Sequence, residues 1–190
     1  MSRTSMSYAR FAAMIATSTL VMYGLMYLNS YALDHVEFSQ TRGWMALLMG
    51  AVMAIIMLGF MWGMYRNLRR NLAILAAAML VFAGSLWLVR SQQTVGDVAY
   101  MKAMIPHHSI AIMTSERAHI RDAKVRLIAD RIIDAQIREI EEMKREIVRL
   151  EAEPVAASEP DLPSYRDKGA MPPPGETDAD AGVDTRTRIE

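Results

Sequence analysis

Three stretches of the chain contain no charged side chain, and they restrict its fold more than any other feature. They are Phe11 to Leu33, Gly43 to Tyr65, and Asn71 to Val89. Each has about the 20 residues that an α-helix needs to cross ~30 Å of hydrocarbon. Most of the charged residues follow Arg90. The pattern therefore predicts three membrane-spanning helices followed by a region outside the bilayer.

The arginines that flank these stretches predict the orientation of the chain. Arg3 and Arg10 precede the first stretch, and Arg66, Arg69 and Arg70 lie between the second and the third. The link between the first and second stretches has a single arginine beside two acidic residues. Because cytoplasmic loops carry an excess of Lys and Arg, the amino terminus is predicted to be cytoplasmic. Everything after residue 90 is then periplasmic or extracellular, on a protein of the inner or plasma membrane.

The first stretch has an alternative interpretation as a signal peptide. Ser30 to Ala32 resembles a signal-peptidase site, but the apolar run before it is longer than a usual signal-peptide core. Cleavage at this point would leave the later region outside the cytoplasm all the same.

Composition narrows the functional classes. The chain has 21 Lys and Arg residues against 21 Asp and Glu residues, and this zero net charge argues against a nucleic-acid partner. It has no cysteine and 17 methionines. Its sulfur is therefore thioether, which an oxidising compartment does not convert to disulfide.

The region outside the predicted anchor (residues 1–90) divides in two. Residues 91–152 alternate apolar and charged side chains with helical periodicity. Residues 153–190 are rich in Pro, Ala, Glu, Asp and Gly, a composition that buries too little apolar area to offset the entropy of ordering. We expect a helical domain followed by a disordered tail without assigned chemistry.

Two helices are predicted in residues 91–152. The first runs from near Val95 to near His119, the segment "RDAK" breaks it, and Asp122 is placed to cap a second helix from Ala123 to about Glu151. The short break predicts an antiparallel hairpin, and since a lone hairpin buries little, a second copy is expected to complete a four-helix bundle. One apolar stripe runs along the second helix and consists of Val125, Leu127, Ile128, Ile132, Ile133, Ile137, Met143, Ile147 and Leu150.

The segment "YMKAMIPHHSIAIM" carries the candidate metal ligands. Asp97, Met101, Met104 and His108 follow each other at helical spacing and are predicted to share one face. His107 lies about a quarter-turn away, and Met113 points to the far side of a regular helix. Pro106 is expected to kink the helix and re-aim His107 toward the ligands of His108. Two residues of the second helix, Gln136 and Met143, are candidates for the same site.

This ligand set predicts the metal, if one binds. Thioether sulfur and imidazole favour Cu(I), or Ag(I), over hard cations, which want several oxygen ligands. The alternative is structural, because methionines at helical spacing more often fill a core. The residues alone leave both interpretations open.

The two helices resemble a known family. The family's pattern on the first helix is Met-x-x-His-His-x-x-Ala-Ile-x-Met, and here it is matched by Met104, His107, His108, Ala111, Ile112 and Met113. Its pattern on the second helix is Ile-x-x-x-Gln-x-x-Glu-Ile-x-x-Met, and here it is matched by Ile132, Gln136, Glu139, Ile140 and Met143. Over about Val95 to Leu150 the chain is similar to the domain-of-unknown-function family 305. The resemblance implies a ferritin-like all-α fold and copper or silver handling outside the cytoplasm. The front end with "LDHVEFSQTR" resembles a membrane-anchored branch of that family.

Two other functions stay open at this stage. Glu116 and His119 have the Glu-x-x-His spacing of di-iron bundles, so a homodimer could form a di-iron oxidase. A second alternative is a copper transporter that uses a methionine ladder in the second stretch, although packing is the plainer reading because each four-residue step winds ~40° around the helix. The leading prediction is a metal-binding protein, not an enzyme. The ladder residues are Met45, Met49, Met53, Met57 and Met61.

Overall fold

The structure, a computed structural model, describes residues 8–156 and 158–164, and every regular element within them is helical. This confirms the all-helical prediction for the described chain. All of these helices belong to one compact unit that ends at Pro154, and a second unit begins at Val155. The α-helices are α1 (Tyr8–Leu25), α2 (Gln40–Phe60), α3 (Leu68–Ser91), α4 (Asp97–Arg117) and α5 (Ala123–Ala152), and short 3-10 turns occur at Leu33–His35 and Trp62–Met64.

Helix α1 is shorter than the first uncharged stretch. It has 18 residues and ends at Leu25, so it is about 27 Å long at 1.5 Å per residue. Beyond it the chain turns, and the prediction of one helix to Leu33 is wrong. The guanidinium of Arg42 donates a hydrogen bond of 2.6 Å to the carbonyl of Met26, which satisfies a backbone acceptor that a longer helix would have used.

Two helices of the described chain, α2 and α3, are long and apolar enough to cross a membrane. Most of their apolar surface is not covered by protein, since only 28 % and 11 % of their most apolar windows is buried. The side chains of Phe60, Leu80 and Trp87 are 88 %, 74 % and 59 % exposed. Such apolar faces are compatible with a lipid environment. That α1 is a third membrane-spanning helix stays a prediction.

Helices α1 to α3 pack around a core that contains polar groups as well as apolar ones. Phe11, Leu58 and Tyr65 are buried there. The buried amide of Asn71 accepts a hydrogen bond from the hydroxyl of Tyr8 at 2.8 Å and donates one to the carbonyl of Tyr65 at 2.9 Å. Each buried polar group of this amide therefore has a partner, as a low-dielectric setting requires.

Helices α4 and α5 pack against each other through a purely aliphatic core. Four isoleucines, Ile105, Ile112, Ile140 and Ile147, are buried between them. At one end of the pair, the ammonium of Lys102 lies 2.6 Å from a carboxylate oxygen of Glu151. The early part of α4 thus faces the late part of α5.

The predicted ends of α4 and α5 are close to the observed ones. The side chain of Asp122 accepts a hydrogen bond of 2.9 Å from the backbone of Val125, which confirms the predicted cap. Helix α4 stops at Arg117, two residues before His119, and runs through Pro106 without a break. Residues 155–156 and 158–164 contain no helix or strand and are exposed. The rest of the predicted disordered tail lies outside the described residues.

Candidate functional site

A cavity of about 400 Å³ lies where α4 meets the chain between α1 and α2 and the start of α2. Two of the predicted ligands, Met104 and His107, line it from α4. Two further methionines, Met26 and Met45, line the same cavity from the apolar half of the molecule. The site thus gathers three thioethers and one imidazole.

The local fold explains why these side chains meet. Met104 and His107 are three residues apart on α4 and therefore share a face. Met26 lies in the turn after α1, and Met45 lies in the second turn of α2. Arg42 bonds the carbonyl of Met26 and stands over the ring of Tyr27 at 4.5 Å. These contacts hold the turn beside α2.

His108 faces a different neighbour from His107. Its Nδ1 lies 2.9 Å from the carbonyl oxygen of Met104, and its Nε2 lies 2.8 Å from a carboxylate oxygen of Glu139. The amide of Gln136 donates to that same oxygen at 3.2 Å. Each ring nitrogen of His108 thus already has an oxygen beside it. A metal would have to displace one of them, because a ligating nitrogen must be unprotonated.

The histidine pair is consequently divided between two sites. The rings of His107 and His108 lie 6.2 Å apart with their planes at 76°. Pro106 does not bring them together, because α4 continues as a helix and successive residues point about 100° apart. His107 nevertheless meets Met104, one of the residues predicted to accompany His108, while His108 itself turns to Glu139.

The other predicted ligands do not line the cavity in the described chain. Met101 and Met143 pack against the isoleucine core between α4 and α5. Asp97 is exposed in the first turn of α4, where its charge complements the helix dipole. Met113 is half-buried later on the same helix. The residues that were predicted to share one face of α4 are therefore divided among the isoleucine core, the exposed surface and the cavity.

The link between α1 and α2 docks on α4 and α5, which the sequence did not indicate. The buried hydroxyl of Ser109 accepts a hydrogen bond of 2.7 Å from the backbone of Tyr31 and lies 3.0 Å from Nδ1 of His35. The ammonium of Lys144 lies 2.7 Å from a carboxylate oxygen of Asp34. This hydrogen bond lowers the pKa of Asp34 and raises the pKa of Lys144.

Ser109, His35 and Asp34 follow one another in space, yet they do not form a nucleophilic triad. The Ser109 side chain is 0 % exposed, so its hydroxyl does not meet a substrate. Asp34 is 3.9 Å from Nε2 of His35, longer than a hydrogen bond, and its closer partner is a lysine. This cluster fixes the link to α4.

The di-iron alternative requires Glu116 and His119 to lie on one helix, and in this structure they do not. His119 lies beyond the end of α4, so it does not share a helical face with Glu116, whose carboxylate accepts from the hydroxyl of Tyr31 at 3.3 Å. Across residues 8–156 and 158–164, no three His, Asp or Glu side chains cluster to hold a metal. A hard-cation site thus has no support within one described chain.

The methionine ladder of α2 divides between two environments. Met57 and Met61 pack against the core formed by Phe11, Leu58 and Tyr65. Met45, at the other end, lines the cavity. The packing interpretation accounts for Met57 and Met61, and Met45 lines the same cavity as His107.

Comparison with known proteins identifies one family. A family model described as "Domain of unknown function (DUF305)" matches residues 90–184. No curated protein matches the chain, and no solved structure does. The matched segment contains the adjacent pair His107 and His108 and both helices that carry the predicted pattern. Since it spans half of the 190-residue chain, the protein belongs to the DUF305 family.

Proposed function

We propose that the protein is a membrane-anchored, extracytoplasmic Cu(I)-binding protein that sequesters the ion or hands it on, and that Ag(I) binds at the same site. The observation that carries this proposal is that Met104 and His107 line one cavity from adjacent turns of α4. The metal is the cargo of the protein. No catalytic step is assigned to it.

The donor atoms around the cavity select the ion. Thioethers are soft and neutral, and together with imidazole they prefer Cu(I) or Ag(I) to Mg²⁺, Ca²⁺ or Zn²⁺. Among the described lining residues there is no carboxylate, and the one charged side chain is that of Arg42. Coulomb repulsion from a guanidinium scales with the charge of the entering ion. A monovalent ion therefore enters at a smaller cost than a divalent one.

The lipid bilayer is the proposed environment of α1 to α3. Helices α2 and α3 expose apolar surface that water would not tolerate in a single chain. The arginine distribution favours a cytoplasmic amino terminus. The link between α1 and α2 contacts α4 and α5, as expected if both lie on the outer side. The cavity would then open outside the cytoplasm.

A second copy of the chain is the proposed partner of α4 and α5. Val125, Ile128 and Ile132 recur at three and four residues on α5 and are 49 %, 56 % and 38 % exposed. A homodimer that covers this stripe would turn the helical pair into a ferritin-like four-helix bundle. Cross-linking in membranes tests this, and a monomer in both membranes and detergent would contradict it.

The metal proposal is tested with the full-length protein in detergent. We expect it to remove Cu(I) from a chromogenic chelator, and we expect the variant Met104→Leu/His107→Ala to lose this competition. Met79→Leu is a matched control, because Met79 is 56 % exposed on α3. A wild-type protein that does not compete, or a double variant that competes equally well, would sink the proposal.

A further inference from the structure

We infer that the membrane anchor supplies two of the metal ligands, Met26 and Met45, so that the complete site exists only where α4 docks on the anchor. This inference rests on the proposed function and deepens it. Both methionines lie outside residues 90–184, the segment matched by the family model. The anchor is then part of the binding site as well as a tether.

The first argument is where the cavity lies. Its lining comes from α4, from the turn after α1, from the first turns of α2, and from Gln92 and Val95 between α3 and α4. Met104 and His107 are contributed by α4, while Met26 and Met45 come from the turn after α1 and from α2. Neither of these two methionines belongs to the α1–α3 core that holds Met57 and Met61. They are therefore not explained as filler of that core.

The second argument is coordination chemistry. Met104 and His107 supply one thioether and one imidazole, and the rest of the coordination shell would fall to water. Water is a hard ligand, which suits Cu(I) and Ag(I) poorly. Met26 and Met45 add two soft, neutral donors, and the set then contains three sulfurs and one nitrogen. All four donors are neutral, so the bound ion keeps its single positive charge.

The third argument is that separate contacts hold the two halves of the site together. Arg42 fixes the carbonyl of Met26 at 2.6 Å. The backbone of Tyr31 is bonded to Ser109, which lies two residues after His107 on α4. Lys144 of α5 holds Asp34 of the same link. A change in this docking would alter the distance between the α4 ligands, Met104 and His107, and the two anchor methionines.

The inference is tested in the full-length protein with the double variant Met26→Leu/Met45→Leu. Leucine keeps the apolar volume of methionine, so packing changes little. Met49→Leu is the control from the same ladder. We expect copper X-ray absorption to show three sulfur neighbours in the wild type and one in the double variant. Cu(I) affinity should fall at least about tenfold, the smallest loss that removal of a site's supporting group causes.

The outcomes separate this inference from the proposed function. If Met104→Leu/His107→Ala loses Cu(I) while Met26→Leu/Met45→Leu keeps both affinity and sulfur count, the metal function stands and the anchor ligands are refuted. If the wild-type protein binds no Cu(I), the proposed function and the inference about the anchor ligands are both refuted.

A second measurement needs no variant, and it applies where Met26→Leu/Met45→Leu does not fold. Ag(I) bound to the wild-type protein should protect Met26 and Met45 from oxidation by peroxide, read by mass spectrometry. Met64, which is 47 % exposed in the 3-10 turn between α2 and α3, should stay reactive as the reference. Equal oxidation of Met26 and Met45 with and without Ag(I) overturns the inference.

Discussion

Helices α1 to α3 and helices α4 and α5 differ most in the side chains that they expose. Helix α3 buries Asn71 and Ser85 and exposes Leu80 and Trp87. Helix α5 buries alanine, isoleucine and leucine and places most of its charged side chains outward. One chain thus contains two packing schemes, each suited to a different solvent. Exposure of a side chain therefore has a different meaning in the two regions: on α2 and α3 the exposed side chains are mostly apolar, and on α5 they are mostly charged.

The cavity lies where the two packing schemes meet. Its lining takes thioethers from both regions, and thioether is a side chain that both lipid-facing and water-facing helices accept. The border between the regions therefore favours a soft ligand set.

The largest effect is expected in the core between α4 and α5. Ile140 is 1 % exposed, and Ile140→Ala should destabilise these helices by about 2–5 kcal/mol, because the cavity it leaves is only partly refilled. Val148→Ala on the same helix, at a side chain 69 % exposed, should change stability by less than about 0.5 kcal/mol. Denaturant unfolding of the full-length protein in detergent measures both. Similar losses from the two variants would break the distinction between core and surface on α5.

Lysine placed on each region separates the two solvents directly. Leu80 lies at the middle of α3 and is 74 % exposed, so Leu80→Lys should cost about 2.5–3.5 kcal/mol of membrane insertion. Val148→Lys should be nearly neutral, within about 0.5 kcal/mol, because that position faces water. Insertion is measured by the fraction of chain recovered in membranes. Equal recovery of the two variants would show that α3 does not face lipid.

The contact between the regions should respond to acid. The hydrogen bond from Lys144 lowers the pKa of Asp34 below its ordinary 3.8, so folding gains stability from this pair above that pH. The gain is lost as the pH falls through the lowered pKa of folded Asp34. It is small, about 0.2–1 kcal/mol, because Asp34 is largely exposed.

Asp34→Asn is the matching variant for this contact. It should unfold slightly more readily at pH 7 and match the wild type once the pH is below the folded pKa. Unfolding curves at several pH values measure the difference. A gap between the two proteins that persists undiminished in strong acid would contradict the assignment.

Much of the helical fold follows from local sequence. The uncharged stretches predicted α2 and α3, since their composition leaves few other solutions. The cap at Asp122 and the periodic isoleucines predicted α5 to within one residue of its observed end. The end of α1 was missed, because hydropathy does not report the hydrogen bond between Arg42 and Met26, which are 16 residues apart.

Only half of the candidate site was visible in the sequence. Met104 and His107 belong to a recognisable helical pattern, so spacing and family resemblance both identified them. Met45 was named only as a member of the ladder in α2, and Met26 has no local feature that separates it from the other methionines of the first stretch. A close approach was likewise missed at Gly50, where an added Cβ would collide with the side chain of Thr19 on α1. Contacts of this kind join residues that are far apart in sequence, so they depend on how the helices pack.

The sequence alone shows that two helices are apolar enough to cross a membrane, that α5 is amphipathic, and which residue types are available as ligands. These properties follow from composition and periodicity, which act over a few turns. Tertiary structure alone decided that His107 joins Met104 at a cavity, while His108 turns to Glu139. The physical reason is that neighbouring residues on a helix point about 100° apart, so the elements packed on each side decide what each one meets.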